Sequence, residues 1–315
     1  MDSLRIVFLG TPELAIPCLE VLHGAQDVDL RLVVTPGDRR RGRGRAASPT
    51  PVGQRAGELG LPLLKWERGD RLSVEKAVRA EAPDLVIVLA FSRILKSTFL
   101  EIPRLACLNL HASLLPWGRG ASPIQQAILE GLPRSGWTAM KMDEGLDTGE
   151  ILEQHPLEIA SRWTAGDLQE ALKETSAGFL MEVLQKWRAG EIQSSPQKEE
   201  EATHCPKIPA SAGAIDWNRN AVELERRIRA FDPAPGSWCR REGKRLGILN
   251  AEILSEDETT RPGEVLSASD EGLDVSCGKG VLRILHLRPE GRKAQAVADY
   301  LRGRPLAAGS ILEQG

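Results

Sequence analysis

The sequence predicts an α/β protein, a doubly wound parallel sheet followed by a second, smaller β-rich domain. Three observations lead to this. Strand-like and helix-like patterns alternate through the first half. The run Leu85 to Ala90 (LVIVLA) is apolar at every position, as a central parallel strand covered on both faces requires. Beyond residue 211 the pattern changes to short strand runs separated by turns.

Arg5 to Leu9 (RIVFL) reads as the first buried strand and Gly10-Thr11-Pro12 as a turn. Glu13 to Leu22 then reads as a helix, with Pro12 suited to its first turn. Asp29 to Thr35 is a second strand, followed by a Gly- and Arg-rich loop and a helix from about Pro51 to Leu59. Cys107 to Leu110 is a short strand after the central one, and a helix is expected from about Ala121. Thr164 to Arg188 has helical periodicity, with Leu168, Leu172, Phe179, Leu180, Val183 and Leu184 on its apolar face. Ala189 to Ser211, with Glu199-Glu200-Glu201, is polar and reads as a solvated linker. A helix at about Ala221 to Ala230 precedes strands at Arg245 to Leu254, Gly263 to Ala268, Leu273 to Cys277 and Val281 to Leu287, arranged as a small barrel. The expected domains are residues 1–189 and 212–315, joined by a linker at 190–211.

Bulk properties exclude several classes. The net charge of -3 means that any nucleic-acid contact must come from a local basic patch. The five cysteines are scattered and form no C-x-x-C pair, so neither a disulfide framework nor a zinc site is expected, and no metal is assigned. No run approaches the roughly 18 apolar residues of a membrane span, and the N-terminus lacks a signal pattern. The expected location is the cytoplasm. The first turn is G-T-P, without the G-x-G-x-x-G fingerprint of dinucleotide enzymes.

Ligands of such sheets bind beyond the carboxyl ends of strands. Asn109 and His111 stand two apart at a strand end, so they project from one face. Alone, N-x-H is a weak signal, because a strand-end His is more often a hydrogen-bonded structural residue. In Thr138 to Leu152 (TAMKMDEGLDTGEIL), Asp143 and Asp147 flank Gly145; they lack calcium-loop spacing, and turn stabilisation is an alternative role. Asp38 to Arg45 (DRRRGRGR) holds five arginines, Arg39, Arg40, Arg41, Arg43 and Arg45. It is either a solvated loop or a phosphate-binding one, since arginine makes forked contacts with phosphate.

Together, N-x-H-x-S-L-L-P and M-D-E-G-L-D-T-G resemble the 10-formyltetrahydrofolate-dependent formyltransferases. Phe8 to Glu13 (FLGTPE) resembles that family's opening strand and turn. Ile215-Asp216-Trp217, Arg229 to Pro233 and Leu287 to Lys293 resemble the second domain of members acting on methionyl-tRNA. The resemblance implies a Rossmann-like catalytic domain and an OB-like second domain. It implies transfer of the formyl group of 10-formyltetrahydrofolate to the α-amino group of methionyl-tRNA by a monomer. It assigns catalysis to Asn109, His111 and Asp147: Asn109 and His111 would donate to the formyl oxygen, and Asp147 would pair with His111 and take the amine's proton. By the same resemblance Phe91, Ser92, Ile94, Leu95, Ser113, Leu114, Leu115, Pro116, Glu144 and Gly145 would bind the folate, and the five loop arginines the tRNA acceptor stem. The chain departs from the family's usual residues at Ser92, Lys96 and Trp117-Gly118. Related alternatives are a nucleotide-sugar amine or water as acceptor, for which the arginine loop has no use. A non-catalytic RNA binder would have no need of the trio. A purine-pathway enzyme would be a shorter, single-domain chain.

Overall fold

The structure is a computed structural model that describes residues 3–40, 47–257, 259 and 261–315, without the side chains of Arg39 and Arg40. It divides into two compact units. One comprises Met1–Gly120, Arg134–Glu158 and Gln169–Cys205; the other comprises Ala121–Pro133, Ile159–Leu168 and Pro206–Gly315.

The first unit is built on a seven-stranded sheet. Its strands are β1 (Leu4–Gly10), β2 (Val28–Pro36), β3 (Leu63–Trp66), β4 (Leu85–Leu89), β5 (Ala106–His111), β6 (Arg134–Lys141) and β7 (Ile151–Glu158). The spatial order is β7-β6-β5-β4-β1-β2-β3. From β3 to β5 all pairings are parallel. β4 lies between β1 and β5 and is buried along its whole length, which is why its sequence is apolar without alternation. The expected parallel sheet is therefore extended by two antiparallel strands, β6 on β5 and β7 on β6. Pro156 lies in β7, an edge strand, where a missing N–H is tolerated.

The helices follow local chemistry. The expected Glu13 helix is a 3-10 turn at Glu13–Ala15 that passes into α1 (Ile16–Gly24). α2 (Pro51–Glu58) starts where Thr50 Oγ1 accepts from Gly53 N at 3.0 Å and proline occupies the first turn. Strand β3 and helix α3 (Arg71–Ala80) have no counterpart in the sequence reading. α4 (Pro123–Glu130) ends at left-handed Gly131. α5 (Ala165–Ala189) begins with a reciprocal cap: Thr164 Oγ1 accepts from Asp167 N at 3.1 Å, and Asp167 Oδ2 accepts from Thr164 N at 2.8 Å.

Asp84, at the start of β4, is buried and ties β1 to that strand. It accepts from Arg5 N at 3.0 Å, from Arg5 Nη2 at 3.1 Å and from Arg104 Nε at 2.9 Å. The Arg5 side-chain hydrogen bonds hold its carboxyl well below the usual range, against the opposing effect of burial. A depressed folded pKa adds stability above the unfolded value of about 4, and that stability is lost as pH falls towards the folded value. Asp84→Asn is expected to lower the unfolding midpoint at pH 7 by on the order of 5 °C. The gap to wild type should narrow below pH of about 4, as thermal melts at pH 7 and pH 3 would check.

The second unit carries an antiparallel sheet of β8 (Ser237–Arg241), β9 (Lys244–Ser255), β10 (Val265–Ser269), β11 (Gly272–Ser276) and β12 (Val281–Pro289). Their order is β8-β9-β12-β11-β10, with Gln295–Ala296 also paired to β12. The sequence reading omits β8. It is joined to β9 by Glu242-Gly243, both at positive φ, the geometry of a two-residue hairpin turn. α6 (Ala221–Ala230) lays Leu224 and Ile228 into a core with Trp217, Leu246, Ile248, Val275 and Ile284. A short α7 (Val297–Gly303) completes the unit. All five cysteines are buried, and burial pushes the Cys18, Cys107, Cys239 and Cys277 thiols up to about 12.

Candidate active site

The carboxyl end of β5 carries the first two expected residues. Asn109 pairs with Val88 of β4 and Met140 of β6, and His111 with Thr138 of β6. Both side chains are buried, 8% and 7% exposed. Among the described residues the Asn109 amide has no hydrogen-bond partner. The residue is largely buried, but its amide is not sealed from solvent, so it is free to donate to a bound acceptor.

His111 is held on both sides. Its Nε2 lies 2.8 Å from the Gly118 carbonyl, which can only accept, so Nε2 carries a proton. Its Nδ1 faces Asp147 Oδ2 at 3.7 Å. With Nε2 committed to Gly118 and Nδ1 turned towards the Asp147 carboxylate, the Asn109 amide is the side-chain donor of the pair that has no competing partner.

Asp147 comes from the β6–β7 connection and approaches His111 from outside the strand. It adopts φ 56°, a left-handed conformation that aspartate tolerates better than most residues. Its Oδ2 also accepts from Gly120 N at 2.8 Å, which fixes the carboxylate. The two aspartates of the motif have different functions. Asp143 Oδ1 accepts from Gly145 N at 3.0 Å and Thr148 Oγ1 at 2.7 Å, so it stabilises the turn. Gly149 has no room for a side chain, because a Cβ there would sit 1.8 Å from the Lys141 carbonyl oxygen.

The expected folate residues divide by exposure. Phe91, Ser92, Ile94 and Leu95 follow β4 through Ala90, itself at φ 49°. Ile94 is 84% exposed and Leu146, beside Asp147, is 62% exposed, so the loops after β4 and β6 each present a large apolar side chain to solvent. Phe91 is half-buried with its ring 5.8 Å from that of Trp66, and Leu95 is buried in the core. Ser113 donates to the Trp117 carbonyl at 2.7 Å and serves its loop. Leu115 is buried and Leu114 and Pro116 are half-buried, while Glu144 and Gly145 are exposed. Of the five loop arginines only the backbone of Arg39 and Arg40, paired with Ala47–Ser48, is described; Arg41, Arg43 and Arg45 lie outside the described residues.

The segment read as a solvated linker lies partly along this site. The Glu199–Glu201 run is exposed. However, Ser195 exchanges two backbone hydrogen bonds with Ile151, and His204-Cys205 pairs in parallel with Arg119-Gly120. Gln197 and Thr203 are absent from the residues picked out in the sequence, and Arg119 is given no role there. No periodicity marks them, and only the strand contacts bring them to the site.

Comparison with known proteins identifies the family. The sequence profile described as "Formyl transferase" matches residues 4–184, and that described as "Formyl transferase, C-terminal domain" matches residues 207–305. The chain belongs to the formyl transferase family. Among family members, the methionyl-tRNA formyltransferase of Desulfotalea psychrophila is 39% identical over 99% of this chain and 96% of that relative. The one from Magnetococcus marinus is 36% identical over the full length of both. Among solved structures, the sugar 3N-formyl transferase WlaRD has the same fold, with a TM-score of 0.67 at 17% identity, over 93% of this chain and 100% of that one. In this formyl transferase the Asn109–His111 strand and the Asp147 loop fall within the N-terminal family region.

Proposed function

We propose that this chain transfers the formyl group of 10-formyltetrahydrofolate to the α-amino group of methionyl-tRNA, in support of translation initiation. Full-length similarity to methionyl-tRNA formyltransferases supports the overall reaction. The observation that carries the chemical reading is the unpartnered amide of the largely buried Asn109 beside the His111–Asp147 pair.

In this reading the amine attacks the formyl carbon and the bond from that carbon to the folate nitrogen breaks. Asn109 donates to the formyl oxygen as negative charge develops there. His111, oriented by Gly118 and Asp147, adds a second polar group next to it. Asp147 accepts the proton that the amine loses, directly or through water, and the departing folate nitrogen takes a proton in return. An α-amino group has a pKa of about 8, so a useful share is neutral without a strong base. The exposed Ile94 and Leu146 fit a role in covering the flat pterin ring, together with Phe91, Ser92, Leu95, Glu144, Gly145 and Ser113 to Pro116. The second unit, read as an OB-like barrel over residues 212–315, and the arginine loop hold the tRNA. Residues 1–189 form the catalytic domain in this reading, and the enzyme acts as a cytoplasmic monomer.

A formyl-transfer assay with methionyl-tRNA, an amino-sugar nucleotide and water as acceptors tests the reaction. Only the first should be formylated efficiently. In the same assay, Arg41, Arg43 and Arg45 all changed to alanine should raise KM for the tRNA. The log–log salt dependence of tRNA binding should flatten by roughly 0.7–0.9 for each phosphate that the variant no longer neutralises. An unchanged salt slope would exclude the loop from tRNA binding.

A further inference from the structure

We propose that Gln197 is a positioning residue that holds the Asp147 carboxylate against His111, an inference that rests on the role given to Asp147 above. The carboxamide of Gln197 uses every hydrogen-bonding direction that fixes its orientation. Nε2 donates to the Asp147 carbonyl and to the Gly149 carbonyl, each at 2.8 Å, and Oε1 accepts from Arg119 Nε at 3.0 Å. Rotating the amide by half a turn would set its oxygen against two carbonyls and its NH₂ against a guanidinium. The arrangement therefore has one stable orientation.

The partner that orients Gln197 is itself fixed. Arg119 is only 1% exposed, and its Nη1 meets both oxygens of Glu199 at 3.0 and 2.9 Å. Gln197 and Glu199 thus come from one short segment, pinned at Ser195 by its two backbone hydrogen bonds to Ile151 and turning at Glu199–Glu201 into a 3-10 turn. Within it, Gln197 is half-buried while its neighbours Pro196, Lys198 and Glu199 are exposed.

The backbone that Gln197 grips is a strained part of the loop. Asp147 sits at positive φ, and a carboxylate carried on such a residue stays in place only if its surroundings determine it. Gly120 N holds the carboxylate end, and Gln197 holds the carbonyl end of the same residue. The same segment also reaches behind the other half of the pair: Thr203 Oγ1 accepts from Gly118 N at 2.8 Å, and the Gly118 carbonyl orients His111. Residues 195–203 therefore touch the backbone behind both members of the His111–Asp147 pair.

The test uses the full-length enzyme with Gln197→Glu, Asp147→Asn and the double variant. Gln197→Glu keeps the contact with Arg119 and replaces two donors with an oxygen that repels both carbonyls. We expect kcat to fall ~10- to 100-fold, as for a small misplacement of a catalytic group, with KM for both substrates within about twofold. On the Asp147→Asn background the same change should cost less than about twofold, because both act through one carboxylate. Should Gln197→Glu fail to fold, Gln197→Ala carries the same expectation without adding charge. A structural role alone would raise KM together with the loss of kcat and would leave the two losses multiplicative, which overturns the inference. An inactive Asp147→Asn beside an unimpaired Gln197→Glu removes this inference and spares the site reading. An active Asp147→Asn removes both.

Discussion

Asn109→Ala is expected to lower kcat by about 10²- to 10³-fold, the usual cost of losing one donor to a developing oxyanion. The stability of the protein should change little. The reason is specific to this site: among the described residues the Asn109 amide satisfies no protein partner, so its removal orphans nothing in the fold. Most substitutions of buried polar residues lose stability because the partner is left unpaired. Here the side chain sits at 8% exposure and leaves no such partner behind, so stability and activity should separate. Single-turnover formyl transfer together with a thermal melt checks both halves. A large fall in the melting midpoint with intact single-turnover rates would show that Asn109 serves the fold.

The second large effect is expected at Asp147. Asp147→Asn should reduce kcat by about 10²- to 10⁴-fold, the range for loss of a group that moves a proton in the transition state. The substitution isolates charge from shape. Asparagine tolerates the left-handed conformation at φ 56°, and its side-chain oxygen can still accept from Gly120 N. Alanine at this position would add backbone strain to the chemical loss and confuse the two. Transfer rates across pH for wild type and Asp147→Asn, with circular dichroism as the control, measure the effect. Activity within a few-fold of wild type would require another proton acceptor.

The parts of this site that local periodicity determines were legible in the sequence. Asn109 and His111 share a face because alternate residues of a strand do, and the all-apolar Leu85–Leu89 run marks the central strand beside them. The roles of Asp143 and Asp147 were not separable by spacing. One binds its own turn and the other reaches across to Gly120 and His111, a difference set by tertiary contact. β6 and β7 went unread because TAMKMDEGLDTGEIL carries a motif whose loop residues dominate its composition. The segment at 190–205 reads as solvated because most of its side chains are. Its attachment runs through backbone bridges at Ser195 and Cys205 and through Gln197, which hydropathy does not record.

That attachment bears on where the chain can be divided. A break near Ala189, where composition shifts, would leave every strand of the large sheet in place. It would nonetheless strip away the polar lacing that ties the loops of Gly118 and Asp147. A fragment intended to retain turnover would have to run on past Cys205, because the boundary of the working catalyst lies beyond the last helix that packs on its sheet.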